Sequence, residues 1–259
     1  MLSKNKIKFI NRLKKKKERN EKKLFLAEGE KVVLEMLNSS LKTELLAAEE
    51  DFIKKLPDDQ IKKIHELITV NASELKQISS LKTPNKVVAV IQQPSFDFKI
   101  SEIKNSLSIG LDAINDPGNL GTIIRIADWF GIYNIFCSQD TVDVFNPKTI
   151  QATMGAISRV RVNYLNLHEL IKNLKTESYN FKVYGCFLKG QNIYQEQLSS
   201  EGLVIMGSES HGISLSLEDE IDHKLFIPSS SSATQISSES LNVAIATGIV
   251  CSEFRRRKY

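Results

Sequence analysis

Apolar residues along the chain fall mostly into short runs separated by polar or charged stretches. Residues Leu24 to Leu37 have helical spacing, Leu45, Leu46 and Ala47 form a short apolar segment, and Val87 to Ile91 read as a strand. A second, lysine-rich helix is expected around Ile61 to Leu67. Together these predict a small α/β unit. The stretch Gln92-Gln93-Pro94-Ser95-Phe96-Asp97 breaks the pattern with a proline between polar flanks, which places a boundary there and divides the chain into domains 1–95 and 96–259.

Beyond that boundary, strand-length apolar runs recur at Leu107 to Ile114, Ile132 to Cys137, Phe181 to Leu188, Leu203 to Met206 and Lys224 to Ile227. Helical or loop segments separate them. Alternation of this kind predicts a mostly parallel sheet covered on both faces, the α/β class, with ligands beyond the carboxyl ends of its strands.

Charge adds one feature to this picture. The first 23 residues hold eleven Lys and Arg against Glu18 and Glu21, a net of +9 in a chain whose total is +4. A second small cluster, Arg255, Arg256, Arg257 and Lys258, lies near the other end. Local basicity of this kind suits a polyanion, because each neutralised phosphate releases counterions; a solvated helix carrying charge for solubility is the bland alternative. Cys137, Cys186 and Cys251 are far apart with no C-x-x-C pair and read as reduced core thiols, and the four histidines have no metal-ligand spacing. No metal is expected. No apolar run reaches the ~18 residues of a membrane span and no secretory signal is visible, so the expected location is cytoplasmic.

Three strand-to-loop junctions carry unusual polar residues. In the first, Asp116-Pro117-Gly118-Asn119-Leu120-Gly121 reads as a tight turn opening into a helix from Thr122 to Phe130, with Ile123, Ile126, Ala127 and Phe130 on its buried face. Arg125 is read as lying near the start of that helix, where a cation opposes the dipole unless an anion approaches. A surface pair with Asp128 or Asp116 is the alternative. In the second, Leu203-Val204-Ile205-Met206 runs into Gly207-Ser208-Glu209-Ser210-His211-Gly212, small residues bracketing one carboxylate; Glu209 stands where a hydrolase nucleophile elbow would need serine. In the third, Ile227-Pro228 leads through a serine-rich link to a helix beginning at Leu241, apolar almost all round and therefore expected to be buried. Ser240 is its candidate N-cap, and Asn242 in its first turn needs partners for its amide.

Taken together, DPGNLGTIIRIADWFG (116–131), LVIMGSESHGIS (203–214) and IP followed by SESLNVAIATGIVCSEFRR (238–256) resemble the three signature motifs of the SpoU/TrmH RNA ribose methyltransferases. The resemblance extends from about Leu107 to Tyr259, with a weaker likeness of the N-terminal part to that family's small ribosomal-protein-like substrate-binding domain. It implies a deep trefoil knot at the C-terminal end of the α/β sheet, an exception to the rule that chains do not thread. It also implies methyl transfer from S-adenosylmethionine to a ribose 2′-hydroxyl of ribosomal or transfer RNA, by a homodimer. The family's site residues map onto Asn119, Arg125, Glu209, Ser240 and Asn242. Its cofactor pocket maps onto Leu203, Met206, Gly207, Ile227, Pro228 and Leu241. Two departures stand out: Ser229 to Glu239 form a longer, serine-rich link than the family uses, and Gln151-Ala152-Thr153-Met154-Gly155-Ala156 differs from its R-A-S-x-G-A stretch at Gln151 and Thr153.

Methyl transfer to a hydroxyl requires in-line alignment and loss of a proton, and alignment alone contributes several kcal/mol. A charged guanidinium has no acceptor, so Arg125 is read as a clamp on phosphate and developing oxyanion, with base action reserved for an unusual environment. Asn119 and Glu209 would orient Arg125 or the ribose, and Ser240 and Asn242 the cofactor-side loop. Two rival readings are an RNA-holding knotted protein without turnover and, more distantly, a Rossmann dehydrogenase, for which the glycines have the wrong spacing.

Overall fold

A computed structural model describes residues 2–96, 98–230 and 240–256. The chain forms two compact units, one of residues 1–95 with 143–159 and one of 96–142 with 160–259.

In the first unit a four-stranded sheet has the order β1-β4-β2-β3, built from β1 (Leu24–Glu28), β2 (Thr43–Ala48), β3 (Ile64–Thr69) and β4 (Val87–Gln92). Two of these strands correct the sequence reading. Leu24–Glu28 is not the first part of a helix, because all five positions are buried and pair antiparallel with β4, from Leu24 opposite Gln92 to Glu28 opposite Val88. Gly29, at φ +85°, ends the strand, and the helix begins only at Glu30. The lysine-rich helix expected around Ile61 to Leu67 is a strand for most of its length: β3 pairs parallel with β2 and its burial alternates with a period of two.

The basic N-terminal arm is folded. It forms the helices Lys4–Arg12 and Lys16–Lys22, and the first, with its C-cap Leu13, docks Ile10 and Leu13 into the apolar core of this unit. Arg19 is 2% exposed; its guanidinium pairs with Asp143 Oδ2 at 2.6 Å and donates to the carbonyls of Leu13 and Lys14. Arg12 pairs with Glu18, Lys6 with Glu66, and Lys14 donates to the Ser79 carbonyl.

The second unit holds a seven-stranded sheet of order β7-β6-β5-β10-β8-β11-β9. Its strands are β5 (Leu107–Asp112), β6 (Asn134–Cys137), β7 (Arg161–Tyr164), β8 (Val183–Phe187), β9 (Gln191–Asn192), β10 (Gly202–Gly207) and β11 (His223–Phe226). All its recorded strand pairings are parallel. The parallel sheet and the five strands expected from apolar runs are present; β7 and β9 carry no long apolar run and escaped notice. Central β5 and β10 are buried along nearly their whole length, as strands covered on both faces must be.

Cys137 and Cys251 are buried and Cys186 half-buried, all as free thiols. Burial pushes Cys186 up to about 11 and Cys251 up to about 12, so at neutral pH both are protonated and poor nucleophiles. No described helix is long and apolar enough to cross a membrane.

Candidate active site

The Pro117–Trp129 helix follows directly on β5. Asp116 caps it, accepting from the Asn119 backbone N–H at 2.8 Å, and Pro117 occupies the first helical position, where no N–H is needed. The stretch read as a turn before a helix is thus the helix's own first turns. Arg125 lies in the third turn, not near the start, so the dipole argument for an anion there lapses: that field is confined to the first turn. Exposure now supports an external partner instead. Arg125 is exposed, as is Trp129 four residues on at 85%, and among the described residues Arg125 has no hydrogen bond or ion pair. The pairing with Asp116 or Asp128 weighed from the sequence is not formed.

Register sets Gly207, the last residue of β10, beside Asp112, the last of β5, so the loops following both strands leave the sheet together. The β10 loop turns back on itself, Ser208 and Gly212 exchanging backbone hydrogen bonds of 3.1 and 2.9 Å. A Cβ at Gly207 would stand 2.1 Å from the Gly212 carbonyl carbon, so only glycine permits this closure. The result projects Glu209 from the tip of the loop, where its Oε1 accepts from Asn119 Nδ2.

The third stretch reaches the same point. Asn119 Oδ1 accepts from Asn242 Nδ2 at 3.0 Å, making a continuous bridge Glu209–Asn119–Asn242 across three distant segments. Asn242 also caps the Val243–Arg256 helix, its Oδ1 accepting from the backbone of Ala244 and Ile245. That cap corrects the reading of Ser240, which is exposed and makes no hydrogen bond among the described residues. The amide of Asn242 is satisfied at both ends although it is exposed rather than buried.

The Val243–Arg256 helix packs along the Pro117–Trp129 helix, with Gly248 facing Ile126. Arg255 locks the pair: its guanidinium donates to the Phe130 and Gly131 carbonyls at 2.9 and 3.1 Å, covering the other helix's C-terminal end. The expectation of burial all round fails for this helix, since Leu241 and Ile245 are 48% and 58% exposed. Arg255 and Arg256, one on those carbonyls and one paired with Glu253, are occupied rather than free cations; Arg257 and Lys258 lie outside the described residues.

The residues assigned to a cofactor divide into two groups. Gly207, Ile227 and Pro228 follow or end β10 and β11, and Leu241 precedes the last helix. β8 lies between β10 and β11, so their ends stand two strand spacings, roughly 10 Å, apart. Met206 is 2% exposed, so it offers backbone rather than side chain. Leu203 is separated from the others. It stands four residues before Gly207, roughly 13 Å along the strand, with its side chain in the apolar core. The link 231–239, which includes most of the serine-rich departure, lies outside the described residues. Among the described residues no cluster of His, Cys, Asp or Glu is placed to hold a metal.

Comparison with known proteins identifies the family. Residues 106–252 match the SpoU rRNA Methylase family, and residues 4–89 match the MRM3-like substrate binding domain. The chain belongs to the SpoU rRNA methylase family. It is 34% identical, over 96% of both chains, to the Bacillus subtilis protein named 23S rRNA (guanosine(2553)-2′-O)-methyltransferase RlmP. Among solved structures, one described as an RNA methyltransferase of the TrmH family from Porphyromonas gingivalis superposes with a TM-score of 0.86 at 38% identity over 99% of each chain. An AdoMet-bound rRNA methyltransferase from Sinorhizobium meliloti superposes with a TM-score of 0.85 at 29% identity, over 100% of this chain and 97% of that one. The SpoU match covers most of the second unit together with residues 143–159, which pack with the first.

Proposed function

We propose that this chain transfers a methyl group from S-adenosylmethionine to a ribose 2′-hydroxyl of ribosomal RNA. The observation that carries the reading is the bridge Glu209–Asn119–Asn242, which joins three stretches far apart in sequence at the carboxyl edge of one parallel sheet. A relative spanning nearly the whole chain is named for 23S rRNA, which favours ribosomal over transfer RNA.

Gly207, Ile227, Pro228 and Leu241, with the Met206 backbone, are the residues that would hold the methyl donor. Their chemistry fits it: a rim of peptide groups and aliphatic carbon suits an adenosine, and no cation among them opposes a sulfonium. When bound, the donor supplies an electrophilic methyl group. The chain's own residues then deal with the hydroxyl. Asn119 fixes one oxygen of Glu209, leaving Oε2, without a partner among the described residues, to accept a hydrogen bond from the ribose. Asn242 holds Asn119 in turn and ties it to the helix on the donor side. Arg125 carries a permanent charge and no acceptor, so it acts as a clamp on phosphate and on the oxygen as negative charge develops. Incubating the full chain with labelled S-adenosylmethionine and ribosomal RNA from cells lacking it tests the reading. Label in 2′-O-methyl nucleosides is expected; label confined to bases, or none, would contradict it.

We also propose a homodimer through the exposed apolar face of the two packed helices, where Trp129, Leu241 and Ile245 stand in solvent. A self-complementary patch of this kind suits a two-fold partner, and Arg125, one helical turn from Trp129, would lie at that interface. Ile245→Asp is expected to convert a dimer to a monomer in size-exclusion chromatography with light scattering; an unchanged mass would exclude this face. A deep trefoil knot in the SpoU-type domain and a cytoplasmic location complete the proposal.

The N-terminal unit is proposed to hold RNA through the lysines its own fold leaves free. Lys4, Lys8, Lys15, Lys16, Lys22 and Lys23 are exposed and have no ion pair among the described residues. Replacing them with glutamine is expected to weaken RNA binding and flatten its salt dependence by about 0.7 log units of slope per lost contact on single strands. An unchanged slope in a filter-binding titration would assign the helices to scaffolding.

A further inference from the structure

The second unit contains a cavity of about 470 Å³ beyond the carboxyl ends of β5, β6 and β7, within the range of roughly 300–1,000 Å³ typical of ligand pockets. Its place in the topology is informative. From β5 the chain steps outward through β6 to β7 and then crosses to β8, so the sheet's direction of travel reverses between β5 and β10. Open parallel sheets bind ligands in the crevice at that reversal. The loop after β10 supplies one wall: Ser208, His211 and Gly212 line the cavity, while Glu209 between them reaches Asn119.

We infer that this cavity takes a guanine base of the RNA, and that Asp112 and Asn166 read its edge; the inference rests on the methyl-transfer reading above. The lining includes the carboxylates Asp112 and Asp140 and no Lys or Arg, which makes it a poor phosphate site. Leu165, Leu167 and Leu217 give it apolar surface for the faces of a ring. Asp112 is 7% exposed, and only its Oδ2 is engaged, by the Ser214 N–H at 2.8 Å. Its Oδ1 has no partner among the described residues and is not sealed from solvent, so this mostly buried carboxylate keeps one accessible oxygen that accepts and cannot donate. Guanine alone among the four bases presents two adjacent donors, N1–H and N2–H, on its Watson–Crick edge.

Asn166 supplies the opposite polarity. As N-cap of the Leu167–Glu177 helix its Oδ1 accepts from the backbone of His168 and Glu169 at 3.0 and 3.3 Å. The amide is thereby oriented with Nδ2 as its free end, a donor for guanine O6 or N7. Single-stranded RNA is read in this way, with an unstacked base hydrogen-bonded along its edge.

The test uses the full chain and a ribosomal RNA fragment carrying the mapped methylation site. Guanosines at the methylated nucleotide and its two neighbours are replaced singly by inosine, which lacks only the N2 amino group. For the wild type, one such replacement is expected to lower kcat/KM on the order of 10- to 100-fold, the weight of a hydrogen bond to a charged group. Asp112→Asn keeps an oxygen for the Ser214 N–H but removes the carboxylate, and is expected to abolish the preference for guanosine over inosine. Asn166→Asp keeps the cap but replaces the donor with a charged acceptor that repels guanine O6 and N7; with the guanosine RNA it is expected to lose about 10-fold or more in kcat/KM. Unchanged donor affinity and melting temperature in either variant report an intact fold, so the second variant decides if the first fails to fold. Equal rates on guanosine and inosine RNAs with the wild type, or a preference surviving in Asp112→Asn, would overturn the pocket assignment while leaving methyl transfer standing. No transfer to any RNA by the wild type would overturn both.

Discussion

Arg125→Ala is expected to lower the methyl-transfer rate by about 100-fold or more, the usual cost of removing a group that stabilises developing negative charge. The effect should appear in kcat, because a clamp that tightens as the oxyanion forms contributes more in the transition state than in the ground state. Stability should change little: the side chain is exposed and makes no hydrogen bond among the described residues. Arg125→Lys keeps the charge but not the planar fork and should recover only part of the rate. Single-turnover kinetics with saturating donor separate these outcomes, and turnover near wild type in the alanine variant would remove Arg125 from the chemistry.

The second large effect concerns folding. Arg19→Ala is expected to destabilise the first unit by about 3–5 kcal/mol, because it strands the nearly buried carboxylate of Asp143. It also leaves the Leu13 and Lys14 carbonyls without the guanidinium that now satisfies them. Against a total stability of about 5–15 kcal/mol for an ordinary domain, that loss brings the unit close to unfolding at room temperature. Urea unfolding followed by circular dichroism measures it. A loss below about 1 kcal/mol would mean that the pair contributes no more than a surface salt bridge. The sequence counts Arg19 among the cations of a basic arm, yet the fold uses it as an internal tie.

That contrast shows where sequence reading succeeds and where it stops. The central strands were legible because burial on both faces demands continuous apolar runs, as at Leu203-Val204-Ile205-Met206. Edge and short strands were not: β3 mixes Ile64, Leu67 and Ile68 with His65, Glu66 and Thr69 directly after Lys62 and Lys63, and β1 reads as helix because its five buried residues continue into a genuine helical stretch after Gly29. At the site, Asn119, Glu209 and Asn242 were legible through their motifs, and the structure brings them into one bridge. The division of labour within the motifs was not legible. Asn242 rather than Ser240 caps the last helix, Arg255 closes the end of its neighbour, and Leu203 belongs to the core, because each role depends on contacts between segments that spacing alone does not specify. Asp112 gave no signal of its own as the last residue of an apolar strand; its vacant oxygen becomes visible only when the β10 loop is folded against it.

The central claim is that Glu209, Asn119 and Asn242 assemble a ribose-methylating site with Arg125. Ribose-methylation mapping of ribosomal RNA from cells lacking this chain, complemented with the wild type or with Arg125→Ala, tests it most directly. One 2′-O-methyl position should return with the wild type and stay absent with the variant. Recovery of the same mark by Arg125→Ala, or no position that depends on the chain, would contradict the account.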